Sequence, residues 1–244
     1  MTPATLTVGG RPASVLGTFG KGCDGSAALN FGESGGANCS TACPYHPRTT
    51  SEHAAAGGAR CYAATLEKRR PSLAAKLRRH ESAPAEVVRL ARLELDARRW
   101  CLPWLRVSAF GSVPESVPAG FGELMADAAA AGIPVHLPVE TPEKAATYAA
   151  AVGPGVAVRL SATPDQWLTH DGPASTVAGR MTDTPRERLQ LAREAAKARR
   201  AATGRRCGVC PAVASRTLKG RPVKCGECTL CADPGADVVY PAHG

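Results

Sequence analysis

Nine of the ten cysteines in this 244-residue chain fall into two sets near opposite ends. Cys23, Cys39, Cys43 and Cys61 form the first, and Cys207, Cys210, Cys225, Cys228 and Cys231 the second; Cys101 stands apart. Thiolates at short, loop-rich spacings suit a soft metal ion or an iron–sulfur cluster. The second set reads C-x2-C-x14-C-x2-C-x2-C. A zinc ribbon would use Cys207, Cys210, Cys225 and Cys228 as two knuckles around a closed tetrahedral site. A [4Fe–4S] cluster would take Cys225, Cys228 and Cys231, with Cys210, which precedes Pro211, as the fourth ligand. The extra thiol at Cys231 favours the cluster, because two-residue gaps let successive thiolates reach three corners of one cube.

In the first set, Cys39 and Cys43 form a C-x3-C pair, and Cys61-Tyr62-Ala63 follows after seventeen residues. Three thiolates leave one iron of a cubane without a protein ligand, and an open iron can bind a substrate or S-adenosylmethionine. Radical enzymes of that kind use C-x3-C-x2-C with an aromatic near the third cysteine. The first gap and Tyr62 agree with that pattern; the second gap does not. Cys23 would close the site as a fourth ligand, and a structural zinc site of Cys23, Cys39, Cys43 and Cys61, with His46 or His53 replacing one thiol, is the alternative. Cys101, beside Trp100, reads as a small buried hydrophobe.

Other residues could serve this centre. Tyr62, Glu33 in the Gly32–Gly36 stretch, Arg106, Ser108 and Glu140 are the candidate site groups, and Arg106 and Arg159 on predicted strands could clamp a phosphate or carboxylate. His136 lies in a predicted strand and could point into a barrel mouth. The remaining histidines, His80 and His170 among them, read as ordinary polar residues.

These groups need a frame. Residues 4–17 alternate about Gly9-Gly10, a hairpin signal, and residues 18–60 are Gly-, Ser- and Ala-rich with little periodicity, a loop long enough to be functional. Helices are predicted from Cys61 to about residue 70, over 71–81 and over 84–100, the second opening on Pro71. Strand 104–110, helix 120–131, strand 133–139, helix 142–152 capped by Thr141, strand 156–161 and a short strand near 175–177 make a βα rhythm, which predicts parallel strands with right-handed crossovers. Helix 183–203 takes Thr184 as its cap. Four or five βα units are too few for an eight-fold barrel, so the α/β chain reads as a partial or distorted (β/α) barrel, with a doubly wound sheet as the alternative. Active groups belong at the carboxyl ends of such strands. The barrel-like domain spans residues 1–204 with its cluster loop at 18–63, and a cysteine module and tail occupy 205–244.

The composition is that of a folded chain, 44% apolar and 21% charged, with a formal charge of +9. Basic residues concentrate over 60–106 and 186–206, which favours a nucleic acid or nucleotide partner, although aromatics are few and no groove-reading motif is present. The start lacks the basic and apolar regions of a signal peptide, and no apolar run is long enough for a membrane span. The expectation is a cytoplasmic protein without a membrane partner, whose thiols stay reduced and free to bind metal rather than forming a disulfide framework.

Asn38-Cys39-x3-Cys43-Pro44, Arg60-Cys61-Tyr62-Ala63, Cys210-Pro211-Ala212 and Cys225-Gly226-x-Cys228-x2-Cys231 together resemble an uncharacterised group of phage and mobile-element iron–sulfur proteins. That group is similar to radical-SAM-like barrels and carries TCP…C…GCYA early and CxxCxxC late. The resemblance spans roughly residues 35–232 and is specific at the cysteine motifs. It implies two [4Fe–4S] clusters, one on Cys39, Cys43 and Cys61 and an auxiliary one on Cys210, Cys225, Cys228 and Cys231. Ala109 departs from the family, whose corresponding strand carries hydroxyl and acidic residues.

Overall fold

A computed structural model describes residues 7–8, 11–12, 14–18, 27–33, 36–38, 62–108, 112–180, 182–212, 214, 223 and 228–241. Strands β1 (Thr7–Val8) and β2 (Arg11–Pro12) pair antiparallel, with Val8 opposite Arg11, as the alternation about Gly9-Gly10 predicts. The main sheet has eight strands: β3 (Gly17–Thr18), β4 (Ala27–Leu29), β5 (Leu105–Val107), β6 (Val135–Val139), β7 (Ala157–Ser161), β8 (Ala174–Ala178), β9 (Arg206–Val209) and β10 (Ala236–Pro241). They lie in the order β3-β4-β5-β6-β7-β8-β10-β9, and seven of them run parallel; only β3 is antiparallel to its neighbour. The chain is therefore α/β with a parallel sheet.

Seven α-helices lie among the described residues: α1 (Tyr62–Arg69), α2 (Pro71–Ser82), α3 (Pro84–Ala97), α4 (Phe121–Ala130), α5 (Pro142–Val152), α6 (Pro164–Thr169) and α7 (Pro185–Thr203). Five of them open on proline, whose missing N–H is one no helix start can use. Thr141 accepts from the Lys144 amide, and Thr163 and Thr184 form capping boxes with Gln166 and Glu187. The α7 helix stops at Gly204, left-handed at φ 70°.

The structure departs from the sequence expectations at short elements. Strand 104–110 contracts to Leu105–Val107, and the aperiodic stretch after residue 17 supplies β3 and β4. Three residues with small side chains complete a ladder without carrying a readable period. Helix α6 follows β7 within a segment for which no element was expected. Cys101 is exposed rather than buried, because it leaves a turn after α3 in which Arg99 and Trp100 have φ values of 53° and 52°. Residues from 205 on join the same sheet through β9 and β10.

The register sorts the sheet into two faces. Leu29, Leu105, Val107, Val135, Leu137, Val139 and Val158 pack with α3, α4 and α5, and Leu160, Ala174, Cys207 and Val239 pack with α6 and α7. All five helices thus cover one face. The other face takes the alternate residues: Arg106, His136, Arg159, Val238 and Tyr240. On the helix-covered face Asp237 and Arg199 are fully buried and ion-paired at 2.8 Å. Arg199 also donates to the carbonyls of Trp167 and Gly172, and Asp237 accepts from the Ala174 amide and from Arg205. The network fastens α7 to β8 and β10, with the guanidinium 5.1 Å from the Trp167 ring centre.

Two substitutions probe this frame by unfolding in urea. Asp237→Ala strands a buried guanidinium and is expected to cost about 3–5 kcal/mol. Gly122→Ala in α4 places a Cβ 2.3 Å from the Ala151 carbonyl oxygen of α5 and is expected to cost about 1–3 kcal/mol by forcing the helices apart.

Candidate functional site

The face of the sheet opposite α3–α7 gathers unusual polar groups. Arg106 and His136 are register partners on β5 and β6, and Arg159 follows on β7. Arg159 is fully buried, yet no carboxylate pairs with it among the described residues. Its guanidinium donates instead to the carbonyls of Ala174, Ala236, Leu230, Cys231 and Asp233 at 2.7–3.5 Å. A guanidinium has five N–H groups, and all are engaged here. Arg159 therefore fastens the 3-10 turn Leu230–Ala232 against the sheet and keeps no donor for a phosphate clamp.

That turn carries Cys231, whose Sγ lies 3.1 Å from the Tyr240 hydroxyl. Burial pushes the Cys231 thiol up; the Tyr240 hydrogen bond and the charges of Arg159 and Arg106 pull the other way, and Cys228 is near enough to raise it further. Burial likewise holds the Tyr240 phenol well above its ordinary value, with contributions from Cys231 and Cys210. Cys210 packs with Ala212 and Val238, beside Leu230, Cys231 and Tyr240. Cys207 does not belong to this group. It faces the helices with Ala192, Ala196 and Val239, and burial, then Asp237, raises its thiol to about 11. The three-residue step from Cys207 to Cys210 along β9 puts the two thiols on opposite faces.

His136 is 2% exposed, stacks on Trp104 with ring centres 6.1 Å apart, and has no hydrogen-bond partner on either ring nitrogen. Burial, then the charges of Arg106 and Arg159, holds its pKa well below the usual imidazole value, so the ring is neutral. Ser108 lies two residues after Arg106 at φ 50°, is 6% exposed, and its hydroxyl has no partner. An unsatisfied buried polar group costs about 1–3 kcal/mol.

The other candidates are engaged elsewhere. Burial raises the Glu140 carboxyl, while Ser112 and Lys144 lower it. The nearly buried Lys144 amine, 3.4 Å from Glu140, also reaches Glu115 at 2.9 Å and the Val113 carbonyl, so Glu140 helps anchor the 112–115 segment. Glu33 pairs with Arg78 at 2.9 Å in an open groove of about 400 Å³ that Glu67 and Lys68 of α1 also line. Tyr62 is the first residue of α1. His80 is buried with its Nδ1 2.7 Å from the Asn30 carbonyl, an ordinary structural contact. Glu81 accepts from the amide of Asn38, the residue before Cys39, at 2.8 Å, and Gly36 lies too close to that carboxylate for a Cβ.

Cys23, Cys39, Cys43, Cys61 and Cys225 lie outside the described residues, as do His46 and His53. Among the described residues no three Cys, His, Asp or Glu side chains converge closely enough to hold a metal ion, and no helix is long and apolar enough to cross a membrane. The donor set that remains on the polar face, Cys210, Cys228 and Cys231 beside two guanidinium groups, has the soft, anionic character that iron or zinc requires. Tyr240, Lys144, Glu81 and the Arg199–Asp237 pair were not legible as site or network residues, since each acquires its role from a partner more than thirty residues away, or, for Tyr240, from a turn held by Arg159. No family model, curated protein or solved structure matches the chain.

Thiol reactivity separates the two faces. At about pH 8 iodoacetamide, which needs a thiolate, is expected to modify exposed Cys101 in the folded protein long before Cys207, as read by peptide mass spectrometry. Rapid labelling of Cys207 would contradict its burial against α7.

Proposed function

We propose that this chain is an iron–sulfur enzyme of radical-SAM-like type on a partial (β/α) barrel. Cys39, Cys43 and Cys61 hold an open-iron [4Fe–4S] cluster, with Cys23 as its optional fourth ligand, and Cys210, Cys225, Cys228 and Cys231 hold an auxiliary one. Bound there, the open cluster would supply one-electron reduction of S-adenosylmethionine. The substrate class is a nucleotide or nucleic acid, and the protein works in the cytoplasm.

The observation that carries this reading is the sorting of the C-terminal thiols. A zinc ribbon needs Cys207 and Cys210 together, whereas β9 separates them and leaves Cys210 with Cys231 and Tyr240. Arg106 and Arg159 add positive charge beside these thiols, which stabilises thiolates and the net negative charge of a thiolate-bound cluster. The barrel reading is supported by the placement of five helices on one face. It is also supported by the action of Arg106 on Tyr240. Their strands are four spacings of about 4.8 Å apart, so a curled sheet brings the two side chains toward each other.

A second reading, a zinc-stapled nucleic-acid-binding protein, is favoured by the surface of α1–α3. There Lys68, Arg69, Arg70, Arg79 and Arg99 are exposed and have no ion pair among the described residues, while Arg78, Arg89, Arg92 and Arg98 are paired with acids.

Purification without oxygen decides between them. Iron and acid-labile sulfide, with the broad visible absorbance of thiolate-bound iron, are expected. Cys207→Ala should leave the iron content unchanged, and Cys210→Ala should remove about half of it, one cluster of two. A colourless protein holding zinc, with Cys207→Ala as damaging as Cys210→Ala, overturns the proposal. Cleavage of S-adenosylmethionine under reductant then tests the open iron.

A further inference from the structure

Two side chains on the polar face are buried without partners, and they are neighbours. His136 on β6 is the register partner of Arg106 on β5, and Ser108 follows two residues later on the same face of the same strand. Registered partners in a parallel sheet lie about 4.8 Å apart, so Arg106, Ser108 and His136 border one patch at the carboxyl ends of β5 and β6. Nine-tenths or more of each of Ser108 and His136 is withdrawn from solvent. Ser108 also holds a left-handed backbone, with its amide donating to the Leu29 carbonyl at 2.7 Å. Such strain persists where the surrounding structure imposes it, and it turns the hydroxyl off the line of the strand.

The chemistry of the patch indicates its occupant. Neutral imidazole offers one N–H and one lone pair, the serine hydroxyl can donate, and Arg106 contributes positive charge close enough to act on His136. With Arg159 fully engaged by carbonyls, the charge available to a ligand here is that of Arg106. We propose that Ser108 and His136, under the charge of Arg106, form a binding subsite for the oxyanion of a small ligand, a phosphate or a carboxylate. The lone pair left on the imidazole accepts from a hydroxyl or amino group beside that oxyanion. The subsite is defined by these residues alone and does not depend on either cluster.

The structure predicts opposite signs for stability and binding, and this makes the assignment testable. Replacing an unpartnered buried polar group with an apolar one of similar shape removes a desolvation cost. Thermal unfolding of the protein as purified is followed in inorganic phosphate, in acetate and in chloride at equal ionic strength. One of the two oxyanions is expected to raise Tm by about 5 °C over chloride; the phosphate arm winning identifies a phosphate-bearing ligand and the acetate arm a carboxylate. His136→Phe, which keeps the stack on Trp104, is expected to raise Tm in chloride and abolish the oxyanion shift. Ser108→Ala is expected to leave Tm in chloride unchanged or higher and to reduce the shift about twofold; it reads the same subsite should His136→Phe fail to fold. No shift from either oxyanion, or a shift that both variants retain, overturns the proposal. A fall in Tm with His136→Phe in chloride shows a structural histidine and overturns it as well.

Discussion

The Arg159 guanidinium is the contact on which the polar side of this molecule turns. A buried cation normally finds a carboxylate, because an unpaired charge in a low-dielectric interior is costly. Here the charge is met by backbone carbonyls alone, two from strand residues Ala174 and Ala236 and three from the turn at 230–233. Burial lowers the affinity of Arg159 for its proton, and the acidic side chains of Tyr240, Cys231 and Asp237 act against that. The same contact therefore shapes the chain and sets the electrostatics around its thiols: it brings Cys231 to the sheet and places a positive charge beside it.

The opposite face follows the reverse rule. Arg199 and Asp237 neutralise each other at full burial, and their remaining donors and acceptors are matched to backbone groups of Trp167, Gly172 and Ala174. One face of the sheet holds a closed, satisfied ion pair. The other holds a cation without a carboxylate, two orphaned side chains and a group of thiols. Satisfied polar networks fix structure, whereas unsatisfied ones sit where a ligand completes them, so chemistry and architecture are divided between the two sides of a single layer.

The sequence displayed this division unevenly. The helices were legible because their signals are local: Pro142, Pro185 and the threonines before them mark helix starts whatever the rest of the chain does. Strands β6 and β7 were legible as apolar runs between those helices. The three-residue β4 was not, since Ala27–Leu29 becomes a strand only by pairing with β5. Among the site residues, the alternation of strands explains what spacing alone left open. C-x2-C around residues 207 and 210 reads as a metal knuckle when it lies in a turn, yet on a strand the same interval points the two thiols apart. Arg159 was legible as a strand cation, but its carbonyl partners lie as many as 77 residues away. His136 is placed where the pattern put it, on a strand and facing away from the helices, though its lack of a partner could not be read from its neighbours in sequence.

The order of the last strands has a consequence for how the chain reaches this state. Strand β10 is the final element in sequence but lies inside the sheet, with β8 on one side and β9 on the other. Until residues 236–241 are available, β9 has no neighbour to pair with and β8 is an open edge, a template for adventitious pairing. During synthesis the sheet must therefore wait with a gap, and the cysteine segment between β9 and β10 is threaded into place only as that gap closes. Such late, non-local pairing is slow, which makes the last few residues of β10 the rate-setting part of assembly.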